Sequence, residues 1–139
     1  MTAVRQAHAT RLRLRLGAVV GSVAASVLVW VIASLVGADL RVVSPVAGTM
    51  TIDAALVIAT SLPLAVAAWG VLVLVERRSA RPRTVWTVVS VSVLALSLPP
   101  LAFLEATIAT KGVLALMHLA TGLVLVLAFR RSIESARDG

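Results

Sequence analysis

Hydrophobic residues along the chain fall into four long runs that are separated by short polar segments. The runs cover about residues 17–36, 54–75, 84–104 and 111–130. At a rise of 1.5 Å per residue, about 20 residues of α-helix span about 30 Å, the thickness of the hydrocarbon core of a bilayer. Each run therefore predicts one membrane-spanning helix.

The connections between the runs predict how these helices are arranged. The second and third runs are joined by a short turn around Ser79 and Pro82, and the third and fourth by a few residues after Pro99-Pro100. Short connections place consecutive helices side by side in opposite directions. We therefore predict an all-α membrane protein whose four transmembrane helices form an antiparallel up-down bundle.

This fold divides the chain into a basic cytoplasmic lead at 1–16, a transmembrane domain at 17–131 and a cytoplasmic tail at 132–139. The longest connection, residues 37–51, contains two glycines and Pro45 and predicts an external loop. Thr51 or Asp53 after it can cap the second membrane helix by accepting a hydrogen bond from a free N–H group.

Individual residues suggest how the helices pack and where they meet the interface. Gly17, Gly21 and Ala25 are spaced by four, and small residues at this spacing let a second helix approach closely. The second helix can belong to the same chain or to a second copy in a homodimer. Trp86, at the start of the third run, suits the aromatic belt of the inner interface.

Basic residues predict the orientation. The net charge is +7, and of the 13 lysines and arginines only Arg41 and Lys111 lie in the first and third connections. The other basic residues lie before the first run, between the second and third, or after the fourth. This bias is typical of a multi-pass protein of the cytoplasmic membrane with both termini inside, and it explains the charge better than nucleic-acid binding does. The predicted contacts to anionic lipid headgroups are Arg11, Arg13, Arg15, Arg77, Arg78, Arg130 and Arg131.

One alternative concerns the first run. Val36-Gly37-Ala38 has the small residues of a signal-peptidase site, although the apolar run before it is longer than that of a usual signal peptide. Charge bias does not distinguish the alternatives, because Asp39 would lie outside in either case. The intact mass of the purified protein would distinguish them, because cleavage removes residues 1–38.

Composition limits the available chemistry. The chain is 60% hydrophobic with a mean hydropathy of +1.03, and it contains no cysteine. Disulfides, thiolate metal sites and dithiol redox chemistry are therefore excluded. Phosphate-binding loops, HExxH and GxSxG motifs are also absent from the sequence. We accordingly expect no catalytic, cofactor-binding or metal-binding residues.

The most suggestive polar residue is His118, which lies inside the fourth run. It is seven residues, or about 10 Å, from Lys111 at the end of that run. Glu105 and Asp53 are expected at the same side of the membrane, so His118, Glu105, Lys111 and Asp53 form a candidate functional cluster. A titratable group inside a membrane often serves function, but one hydrogen bond to a hydroxyl or carbonyl would equally satisfy a structural histidine.

Short motifs give the chain a family resemblance. They are Trp69-Gly70 and Glu76-Arg77-Arg78 around the end of the second run, Trp86, Leu96-Ser97-Leu98 before Pro99-Pro100-Leu101, and Lys111 to Gly122 with Met117-His118-Leu119. With these motifs the chain resembles, from Gly17 to Arg131, a domain-of-unknown-function family of small four-span membrane proteins common in actinobacteria. The resemblance implies the four-helix membrane fold and assigns no residue a catalytic or binding role.

We therefore expect an accessory or structural membrane protein that is not an enzyme, with a membrane-protein partner or a second copy as its possible protein contacts. The alternative is a small transporter or proton-coupled carrier that uses His118 in the outer half of the membrane. These hypotheses differ in what surrounds the imidazole, because a carrier needs an acidic partner or a polar path at that side chain.

Overall fold

The computed structural model describes residues 2–44 and 48–134, so Pro45 and the tail after Glu134 lie outside the described residues. The elements in chain order are α1 (Thr2–Leu35), β1 (Arg41–Ser44), β2 (Gly48–Thr51), α2 (Ala54–Arg78), α3 (Pro82–Ser97), α4 (Pro99–Ala102) and α5 (Ile108–Glu134). Four helical stretches are long and apolar enough to cross a membrane: Ala9–Leu35, Ala54–Arg78, Pro82–Ala102 and Ile108–Ile133. The predicted helical membrane fold is confirmed.

Helices α1 and α5 form the central pair of the bundle, and they run antiparallel. Ser26 contacts Thr121, whereas Gly21, further back along α1, faces Val124, further on along α5. Helix α2 packs against α1, and α3 packs against α5. The predicted neighbours α3 and α5 are therefore adjacent, but the most extensive interface joins the first and last helices, which are farthest apart in sequence.

The bundle has two ends, which differ in charge. One end, called here the Arg-rich end, holds the start of α1, the α2–α3 turn and the last turns of α5. The other, called here the hairpin end, holds β1, β2 and the α4–α5 connection. A cluster of buried apolar side chains lies toward each end, one including Phe129 and Leu72 and the other including Met117 and Val57. Packing of these side chains holds the helices together, since lipid chains are as apolar as they are.

The basic lead is part of the first helix. Helix α1 begins at Thr2 and continues without a break to Leu35 over 34 residues. Arginine and leucine alternate from Arg11 to Leu16. This stretch is helical and belongs to the apolar segment long enough to cross a membrane, Ala9–Leu35. Arg11 and Arg15 consequently lie on one face of α1, because residues four apart in a helix are neighbours.

Two segments of the long connection form β-strands that the sequence analysis does not predict. Strands β1 and β2 form an antiparallel hairpin in which Arg41 pairs with Thr51 and Ser44 with Gly48. Gly48 has a φ of 71°, a conformation that glycine adopts at no steric cost. Val42 is buried while its neighbours Arg41 and Val43 are exposed, the alternation expected of a strand with one covered face.

Three hydrogen bonds fasten this hairpin region to the helices. The Trp30 indole N–H donates to the carbonyl of Ile52 at 2.9 Å. The Thr110 hydroxyl donates to the carbonyl of Asp39. The backbone N–H of Val43 donates to the carbonyl of Glu105 at 2.9 Å, which adds the α4–α5 connection to the edge of the hairpin. These bonds connect the hairpin region to α1, to α5 and to the α4–α5 connection.

Trp86 is buried where α3 packs against α5. Its side chain is only 2% exposed, and it packs edge-on against Phe129 with ring centroids 5.4 Å apart. Its indole N–H points to the carbonyl of Val126 at 3.4 Å. The start of α3 packs directly onto α5 and covers the indole ring, so Trp86 contacts protein. Its place at the depth of the inner interface stays a prediction.

The predicted small-residue face of α1 is used in part. A Cβ atom on Gly21 would lie 3.6 Å from Val124, so this glycine marks the contact with α5. Ala25 is half-buried, whereas Gly17 is exposed and a Cβ atom there would meet nothing within 4 Å. Contact through Gly17 to a second copy of the chain stays a prediction.

Candidate functional site

His118 lies in α5 and is half-buried. Its Nδ1 atom is 2.8 Å from the carbonyl oxygen of Leu114, one turn earlier in the same helix. A carbonyl only accepts, so Nδ1 carries the proton in this arrangement. The imidazole therefore has a local partner of the kind that a structural histidine in a membrane helix requires.

An apolar side chain of α3 packs against α5 one turn beyond His118. Gly122 lies one turn further along α5, and a Cβ atom at this position would come within 2.7 Å of the Leu94 side chain of α3. The absence of a side chain at Gly122 thus lets α3 approach α5 closely. The helix that packs against Gly122 is α3, and the side chain that it places there is Leu94.

The other three residues of the predicted cluster each have a separate place at the hairpin end. Asp53 caps α2 and accepts a hydrogen bond from the backbone N–H of Leu56 at 2.8 Å. The Lys111 ammonium donates to the carbonyl of Ala102 at 2.7 Å. Glu105 contributes its backbone to the bridge with Val43, and its side chain is exposed. Among the described residues, no hydrogen bond or ion pair joins these side chains to one another or to His118.

A second polar group of residues lies between α1 and α5. The hydroxyl groups of Ser26 and Thr121 are 2.6 Å apart and buried. The Thr121 hydroxyl also approaches the carbonyl of Ser22 at 3.5 Å, while the Ser22 hydroxyl donates to the carbonyl of Val19 at 2.8 Å. These hydroxyls satisfy one another and the helix backbones, which is how polar side chains join membrane helices.

The structure also forms an ion pair that the sequence analysis does not anticipate. At the Arg-rich end, Arg15 Nη2 lies 2.6 Å from both carboxylate oxygens of Glu76. The two side chains are only 10% and 21% exposed. The pair joins α1 to α2. The sequence contains one indication of this pair, because Glu76 is the acidic residue in a connection that is otherwise basic.

A cleft lies beside this ion pair. It has a volume of about 320 Å³ and is lined by Ala9, Arg11, Leu12, Arg15 and Trp69. The Nε atoms of Arg11 and Arg15 are both buried, and neither has a hydrogen-bond partner. Two donors from one face of α1 therefore have no hydrogen-bond partner among the described residues, at the end of the bundle where positive charge accumulates.

No metal centre is visible in the part of the chain that the structure describes, where no three histidine, aspartate or glutamate side chains are grouped closely enough to hold an ion. Polar interactions in residues 2–44 and 48–134 include helix caps, hydroxyl contacts between helices, and the guanidinium groups at the Arg-rich end.

The four apolar helices and the charge asymmetry between their ends define a multi-pass helical membrane protein. The chain belongs to DUF6069, a family of unknown function whose sequence profile matches residues 6–135. This confirms the resemblance to a domain-of-unknown-function family. No curated protein and no solved structure gives a significant match.

Proposed function

We propose that this protein is a non-enzymatic accessory or structural component of the cytoplasmic membrane, with both termini inside and the hairpin outside. The distribution of arginines supports the orientation, because positively charged connections are retained on the cytoplasmic side. The exposed apolar side chains along α3, including Val88 and Leu96, suit contact with lipid or with a membrane-protein partner. The arginines at the Arg-rich end suit anionic lipid headgroups.

The local hydrogen bond of His118 carries this proposal. A proton-coupled carrier needs a titratable group that exchanges its proton with a second group or with a polar path. His118 instead donates to Leu114 in its own helix, and Leu94 fills the space beside Gly122 on the next turn. The Ser26–Thr121 pair is buried, and it joins α1 to α5. These contacts favour a supporting role over transport.

Cysteine labelling tests the orientation, and the chain is well suited to it because it contains no cysteine of its own. Thr49 in β2 and Ala80 in the α2–α3 turn are both exposed and lie at opposite ends of the bundle. We expect a membrane-impermeant maleimide to label Thr49→Cys in intact cells and Ala80→Cys only after the membrane is opened. The reverse pattern, or labelling of both in intact cells, would contradict the proposed orientation.

Replacing His118 tests the supporting role. We expect His118→Ala to leave membrane insertion and helix content unchanged and to lower the free energy of unfolding by about 1 kcal/mol or less, since one local hydrogen bond in a membrane helix contributes little. Reconstituted vesicles would show the same proton flux for this variant and the unaltered protein. A proton flux that the unaltered protein supports and His118→Ala abolishes would favour the carrier.

A further inference from the structure

We propose that the cleft at the Arg-rich end is a binding site for one anionic phospholipid, whose phosphate group is held by Arg11 and Arg15. This inference deepens the proposed contact of the arginines with headgroups and rests on that proposal. It assigns one built site on α1 and α2, whereas the charge pattern alone predicts a diffuse attraction spread over all the basic residues.

Unsatisfied donors are the first reason. Arg15 is only 8% exposed, and its Nε–H group is buried without a partner although Nη2 is paired with Glu76. The Arg11 Nε–H group, which belongs to the same cleft, is also buried and has no partner among the side chains that the structure describes. Buried donors are costly when they remain unpaired. A phosphate oxygen accepts from guanidinium groups with matching geometry and would satisfy both donors.

Charge is the second reason. Arg11 and Arg15 are neighbours on one face of α1, and like charges at this spacing repel each other. Glu76 offsets one of the two positive charges through its ion pair with Arg15. Among the described residues that line the cleft, one positive charge then remains. A phosphodiester with a single negative charge would neutralise it. The site is therefore matched to a phospholipid phosphate in charge as well as in hydrogen bonding.

The remaining lining distinguishes a lipid from free phosphate. Ala9, Leu12 and Trp69 are apolar or amphipathic, and they share the cleft with the two guanidinium groups. Leu12 is half-exposed, so its side chain is available to an acyl chain or glycerol backbone next to the phosphate. Inorganic phosphate would leave these contacts unused. Tryptophan is also the side chain favoured where hydrocarbon meets the headgroup region.

Native mass spectrometry of the full chain in detergent micelles tests the site, with phosphatidylglycerol and phosphatidylcholine as competing probes. We expect one phosphatidylglycerol to be retained per chain in preference to phosphatidylcholine. Arg11→Gln should raise the Kd for phosphatidylglycerol about tenfold, the effect of losing one charge-assisted hydrogen bond. The matched control is Arg13→Gln, which removes the same charge from an exposed position outside the cleft lining, and it should change the Kd by less than about twofold.

Two further measurements keep the result interpretable. Arg11→Lys conserves the charge and loses the Nε–H group, so it should weaken binding while keeping the helix content of the unaltered protein. Millimolar inorganic phosphate should leave phosphatidylglycerol bound. Equal effects of Arg11→Gln and Arg13→Gln, or the absence of preference for phosphatidylglycerol, would overturn the site, and displacement by inorganic phosphate would overturn the lipid as its ligand. Cysteine labelling tests the membrane orientation and lipid binding tests the cleft, so failure of one proposal can be told from failure of the other.

Discussion

Replacing Glu76 with glutamine should lower the free energy of unfolding by about 3 kcal/mol, because it leaves the positive charge of Arg15 buried without its counter-ion. Arg15 Nη2 contacts both oxygens of Glu76 at 2.6 Å, and the two side chains are 10% and 21% exposed. Removing one partner of a buried ion pair lowers the free energy of unfolding by far more than the intact pair adds to it. Titration with a denaturing detergent, followed by circular dichroism, measures the change.

The exposed ion pair at the other end of the molecule provides the control. Asp39 and Arg41 are 3.8 Å apart, with side chains 65% and 72% exposed. Asp39→Asn should therefore change stability by less than about 0.5 kcal/mol, as is usual for solvated pairs. Replacing both Arg15 and Glu76 by leucine should recover most of the stability lost in Glu76→Gln. An unfolding free energy of Glu76→Gln equal to that of Asp39→Asn would show that the Arg15 charge escapes burial.

Phe129→Ala should destabilise the bundle by about 3 kcal/mol, since it opens a cavity where α3 meets α5. Phe129 is fully buried, and its ring contacts Trp86 edge-on with centroids 5.4 Å apart. In lipid this contact acts mainly through close packing, because the surrounding chains are as apolar as the ring. The same detergent titration measures the loss, and the fluorescence of Trp86 should change as its aromatic neighbour is removed.

The chain has one other phenylalanine, and it is a matched control. Phe103 follows α4 at the hairpin end and is 84% exposed. Phe103→Ala removes the same atoms from a position that packs little against the protein, so stability should fall by less than about 0.5 kcal/mol. Equal losses in Phe103→Ala and Phe129→Ala would contradict burial as the cause.

The candidate site could be predicted from the sequence only in part. A lone histidine in an apolar run identifies His118, and the chain order places Asp53, Glu105 and Lys111 at the same end. Whether these side chains meet depends on the rotation of each helix about its axis. In the structure His118 bonds to the carbonyl of Leu114, and Asp53 caps α2. The two side chains lie toward the same end of the bundle, but each has its own partner.

At the Arg-rich end, the structure forms a contact that the sequence does not predict. The sequence predicts Arg15 as a contact to lipid phosphates, which stays a prediction, and it gives no sign that one guanidinium nitrogen of Arg15 also pairs with Glu76 of α2. Glu76 is separated from Arg15 by 61 residues, and periodicity gives no information about which side chains meet across such a distance. The cleft beside this pair likewise depends on the approach of α2 to α1.

Hydropathy and charge by themselves determine that this chain has four helices able to cross a membrane. These properties follow from the sequence because the cost of placing a side chain in hydrocarbon depends on that residue and a few neighbours. Tertiary structure alone decides that α1 and α5 form the central pair, that hydrogen bonds join the hairpin region to both of them, that Trp86 is buried, and that Arg15 meets Glu76. These contacts join residues that are far apart in sequence. Lipid does not favour one apolar helix face over another, so the close packing of particular surfaces decides which helices meet.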